Sequence, residues 1–151
     1  MKIFSAIVIL LLLVSHYSYA EDDAITNEII DNISSEFVEC SCYYSIIAQG
    51  LGKKGEKPLA EKYKEDAFTA FSYAVTVAEE GRSKEMAQKV TLARFTLGME
   101  SMLKEINNDF SNSSILMNKY GFRCKDVMEN PEAMMKELEN KISKKHSQSN
   151  K

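Results

Sequence analysis

Cysteine is the residue type with the most chemistry to offer in this chain, at Cys40, Cys42 and Cys124. A cysteine sulfur can serve as a nucleophile, a metal ligand or half of a disulfide, and the compartment decides among these roles. The amino-terminal residues speak to the compartment. Lys2 is followed by an almost unbroken apolar run from Ile3 to Val14, and Ser18-Tyr19-Ala20 places small residues at −3 and −1. This pattern predicts a secretory signal peptide over residues 1–20, cleaved before Glu21. The competing reading is an uncleaved anchor, but an apolar core of about 12 residues falls short of the roughly 20 that span a bilayer. The mature chain therefore carries no integral membrane span, and the expected location is the periplasm or the extracellular space.

In an oxidising compartment three cysteines make one disulfide and leave one thiol. Apolar residues at Ile25, Ile29, Ile33, Phe37, Cys40, Tyr44, Ile47 and Leu51 form the stripe of an amphipathic helix. Cys40 lies on that stripe, and Cys42 sits about 200° further round. The expected disulfide is Cys40 with Cys124, closing a long loop that contributes roughly 4–5 kcal/mol in the chain-entropy model. Cys42 with Cys124 is the alternative pairing. Cys42 and Tyr43 are then expected on the outward side, as a candidate binding surface, since tyrosine is enriched at interfaces.

Other chemistry is thinly supplied. Loss of the leader takes His16 and leaves His146 as the one histidine, in a polar tail, so no Ser-His or Cys-His pair is expected. The seven methionines left after Met1 is lost raise an alternative, a copper or redox accessory protein using Cys42 and thioethers, but they recur on apolar stripes that suit core packing. Glu100 or Asp109 would carry a small hydrolase. Neighbouring carboxylates diverge on a helix, however, and lie among lysines as a solvated face does. No catalytic set, metal site or cofactor is expected.

The 151 residues fit one domain, 44% of them hydrophobic, and a formal charge of −3 gives no basic patch for nucleic acid. The 19 Lys and Arg lose only Lys2 with the leader and the 22 acids lose none, so the mature chain has a net charge of −4. An acidic surface favours a basic protein partner.

The elements that position these residues all read as helices. The first ends at a break around Gly50, Gly52 and Gly55. A second runs from Pro58 to Glu80, stopped by Gly81, with small residues alternating with Tyr and Phe for close packing. Ser83 caps a third, Lys84 to Asn108. Met86, Val90, Ala93 and Leu97 share one face of it, while Phe95, Met99, Met102 and Ile106 lie nearly opposite. Burial on both sides, as the central spine, is the expectation, with a bend near Gly98 as the alternative. A short helix, Ile115 to Tyr120, ends at Gly121, and Asn130-Pro131-Glu132 starts a last one. With no period-two alternation, the fold class is all-α: one bundle of four to five helices over residues 21–142, with one long-range disulfide and a disordered polar tail at 143–151. A non-enzymatic protein of the cell envelope, acting by protein–protein contact as an inhibitor or immunity protein, is the functional expectation. No motif specific to a known family is present.

Overall fold

The computed structural model describes the backbone of residues 2–149 and the side chains of residues 24–148. The leader's side chains and the cleavage point before Glu21 lie outside the described side chains. Five helices follow in order: α1 (Lys2–Lys53), α2 (Lys57–Glu79), α3 (Lys84–Glu105), α4 (Ser114–Glu129) and α5 (Pro131–Ser149), with a 3-10 turn at Phe110–Asn112. The fold is an all-α bundle. Among the described residues no helix is long and apolar enough to cross a membrane.

The spine of the bundle is α1 and not α3. Cys40, Ser41, Cys42, Tyr43 and Tyr44 are five successive residues, every one buried, so this part of α1 is covered all the way round. All four other helices pack against it. The predicted stripe faces inward as expected, but the opposite side of the helix is covered too. By contrast α3 has one buried face. Phe95, Met99, Met102 and Ile106 meet the core, while Met86, Ala93 and Leu97 face solvent. The two-sided α3 is therefore corrected, and α3 runs unbroken through Gly98.

The α1–α2 contact shows how a fully covered helix is accommodated. Ser34 donates a hydrogen bond to the Ala74 carbonyl at 3.0 Å, and Ser41 donates to the Ala67 carbonyl at 2.8 Å. Both partners step by seven residues, so the two helices run antiparallel in register, as in a coiled coil. Ala60, Ala67, Ala70, Ala74 and Ala78 are all buried along this seam. Their small side chains bring the backbones close enough for a serine hydroxyl to reach a carbonyl of the neighbouring helix.

Helix ends follow local chemistry. The reversal after α1 turns at Gly55, with φ +83°, a conformation that costs glycine nothing. Ser83 accepts from the Met86 N–H and starts α3. Asn107 and Asn108 adopt positive φ and stop α3 three residues before the expected end. The expected stop at Gly121 does not occur. A Cβ at Gly121 would lie 3.0 Å from the Tyr43 hydroxyl, so this glycine gives α4 room to pass, and α4 runs on to Glu129. The predicted disordered tail is also corrected, because 143–149 continues α5. Ile142 is buried, and Lys145 and His146 each reach a carboxylate oxygen of Glu28 at 2.8 Å. Ionic contacts hold what lacks apolar residues.

Enlarging a small residue on the α1–α2 seam forces the helices apart. Ala74→Leu is expected to lower stability by about 1–3 kcal/mol in urea unfolding, and Ala93→Leu, on the exposed side of α3, to leave it unchanged.

Candidate functional site

Cys40 and Cys124 form the disulfide, joining α1 to α4 with a Cα–Cα distance of 5.2 Å across 84 residues of sequence. Both are fully buried. The pairing expected from helix geometry is the one present.

Cys42 and Tyr43 do not form an outer surface. Cys42 is a free thiol with no exposure, and Tyr43 is 3% exposed. The Cys42 thiol donates to the Phe95 carbonyl at 3.4 Å, and a Cβ at Gly98 would lie only 2.8 Å from its sulfur. Burial, reinforced by the Glu39 charge, pushes the thiol up to about 12. A thiol so placed resists forming the thiolate that a metal or a redox partner needs. Burial likewise pushes Tyr43 up to about 12, helped by the neighbouring Tyr63 hydroxyl. Tyr43 and Tyr44 pack at 5.1 Å between ring centroids, and Tyr44 meets Tyr63 edge-on at 5.7 Å. These tyrosines are core. The position 200° round α1 points at α3 instead of at solvent, which is why periodicity misplaced it.

The carboxylates considered for catalysis are dispersed. Glu100 is exposed. Asp109 accepts from the Ser111 N–H at 2.9 Å and the Ser111 hydroxyl at 2.7 Å, which hold its carboxyl below the ordinary range and cap the 3-10 turn. Among the described residues no three His, Cys, Asp or Glu side chains converge as a metal-ligand set.

One carboxylate stands apart. Glu39 lines a cleft of about 200 Å³ between α1, α3 and α4, with Arg94, Ser101 and Tyr120 on its walls. Burial raises its pKa, and Glu36 raises it further, while Arg123 and Lys119 act in the opposite sense. The basic groups nearby are committed elsewhere. Arg94 and Arg82 both bind Asp31, Arg123 binds Glu36, and Lys119 binds Glu105.

A second apolar feature lies along α2, where it faces α3. Phe68, Phe71 and Val75 form a second stripe on α2, beside the alanines that face α1. Phe71 meets Phe95 of α3 edge-on, with ring centroids 5.6 Å apart, and makes the floor. Phe68 and Leu92 stand above it, 73% and 57% exposed. Two depressions of about 430 and 500 Å³ flank Phe68 and share Phe68, Phe71 and Leu92. A third, of about 640 Å³, joins the first at Ala48, Gln49 and Lys64 and continues to the α1–α2 turn. Together they make an open trough. Phe68 and Leu92 thus remain exposed on adjoining helices above an aromatic floor. Sequence periodicity missed it, although the i, i+3, i+7 spacing of Phe68, Phe71 and Val75 and the Leu92–Phe95 pair were present to be read.

Comparison with protein-family models, curated proteins and solved structures finds no match to this chain.

The raised pKa of Glu39 means that ionising it costs the folded state more than the unfolded one. Stability is thereby lost as pH rises from the ordinary glutamate value of 4.5 through the higher folded value. Glu39→Gln is expected to melt at a higher temperature than the parent chain at pH 7. That advantage should vanish below about pH 4, where the carboxyl is protonated in both states. Melting curves at the two pH values decide this, and an unchanged or lower melting temperature at pH 7 contradicts it.

Proposed function

We propose that this chain is an exported, non-enzymatic helical protein that acts by protein–protein contact, with the α2–α3 trough as its contact surface. The exposure of Phe68 and Leu92 around a shared aromatic floor carries this reading. A large aromatic ring and a leucine kept in water on neighbouring helices lose free energy that a partner's surface would restore. The leader-like segment and the Cys40–Cys124 disulfide support residence outside the cytosol, in the periplasm or beyond. Blocking an envelope-acting toxin or hydrolase, as an inhibitor or immunity protein does, is the concrete form of the proposal. Occlusion of an enzyme needs a rigid apolar surface and no chemistry of the blocker's own.

Capture from native extract under non-reducing conditions tests it, using the chain and a Phe68→Asp/Leu92→Asp variant. Both positions are exposed, so the variant keeps its core. The expected result is one stoichiometric protein partner that the variant fails to retain, and whose enzymatic activity falls on binding. Equal recovery by the variant, or a chain that emerges alone, would refute the trough as the contact surface.

A further inference from the structure

We propose that the trough receives an amphipathic helix of a partner protein, whose acidic residues sit at the end that lies over the α1–α2 turn. This rests on the contact reading above and names the partner's chemistry. The trough follows α2 from Lys57 to Thr76, a run of about 28 Å at the helical rise per residue. A helix of about five turns matches that length. The trough is open along its side, with Phe68 and Leu92 standing as ridges above the Phe71–Phe95 floor. A small amphiphile binds where most of its surface is enclosed, which this geometry does not provide. Ridges separated by depressions are what the side chains of a second helix interdigitate with.

Charge gives the occupant a direction. At the Val75 end the lining is apolar or neutral, with Ser72, Thr76 and Gln88 as its polar members. At the other end Lys53, Lys57 and Lys64 converge against Glu61 as the one acid in the lining. Glu61 is engaged by Lys64 at 2.6 Å, and Lys53 lies over the Phe110 ring at 3.9 Å, which leaves Lys57 foremost. On a chain of net charge −3, a basic end to an apolar trough is a local inversion, and an acidic helix end complements it.

The test is selection from a displayed library of helices of about 18 residues, long enough to cover about 27 Å of the trough. Each member keeps a fixed apolar stripe and has polar positions randomised among Glu, Lys and Gln, and the full chain is the bait. The expected result is enrichment of sequences with Glu gathered at one end. Those sequences should bind the parent chain about tenfold more tightly than the Lys57→Glu/Lys64→Glu variant, the effect of one or two exposed charge pairs. They should not bind Leu92→Asp. Enriched helices with no end bias, or indifferent to the lysine changes, overturn the acidic-helix inference but leave the contact reading standing while Leu92→Asp still abolishes binding. No enrichment, or binding that survives Leu92→Asp, overturns both. Should the parent chain instead form a concentration-dependent dimer that Leu92→Asp disperses, the trough's occupant is a second copy and the inference fails.

Discussion

Everything in this bundle follows from covering one helix on all sides. Around Cys40–Tyr44 no face of α1 is left to water, so its neighbours must approach from every direction, and they do so with small residues. On α2 the seam is a row of alanines close enough for Ser34 and Ser41 to reach backbone carbonyls. A Cβ at Gly98 on α3 would lie 2.8 Å from the Cys42 sulfur, and one at Gly121 on α4 would lie 3.0 Å from the Tyr43 hydroxyl. These two glycines serve one purpose. Each removes a side chain where a helix meets α1, because the densely packed interior has no slack to absorb a methyl group.

The same constraint decides what chemistry is left. Enclosing α1 removes its thiol and tyrosines from solvent, so the residues that look most reactive in the sequence are spent on packing. Polar work moves to the rim. Asp31 accepts from Arg82 and Arg94, and although burial pushes its carboxyl up, those two guanidiniums outweigh it and hold it below the ordinary aspartate value. Glu36 and Glu28 make comparable links from α1 to α4 and α5. Such exposed or half-exposed pairs add little stability singly. What remains for a partner is the apolar surface that the spine does not consume, on α2 and α3.

Much of the fold was legible from residue spacing. The α1 stripe, the alanine face of α2, the Ser83 cap and the Pro131 start are local patterns, and each appears where its chemistry demands. The disulfide was legible too, since Cys40 shares the inward stripe. Periodicity reports which face of a helix is apolar. It does not report whether a neighbour also covers the other face, and that is why spacing alone points Cys42 and Tyr43 outward and gives α3 the central role. Small residues blur the distinction, because alanine, serine and glycine on a helix look the same whether they face water or a closely packed backbone. Gly121 illustrates this. Its type suggests a helix stop, and only the Tyr43 ring beside it shows why it is there. Spacing fails at the tail for the converse reason, since Glu28 anchors it from more than a hundred residues away and no local pattern records that.

Counting thiols shows whether α1 is enclosed with one protected thiol at its heart. The chain is treated with a thiol-reactive chromogenic disulfide, without reductant, before and after unfolding in denaturant. No reaction is expected in the native state and one thiol per chain on unfolding, with Cys40 and Cys124 remaining bonded. Rapid reaction of a thiol in the native protein would contradict the enclosed spine, and three thiols on unfolding would contradict the disulfide.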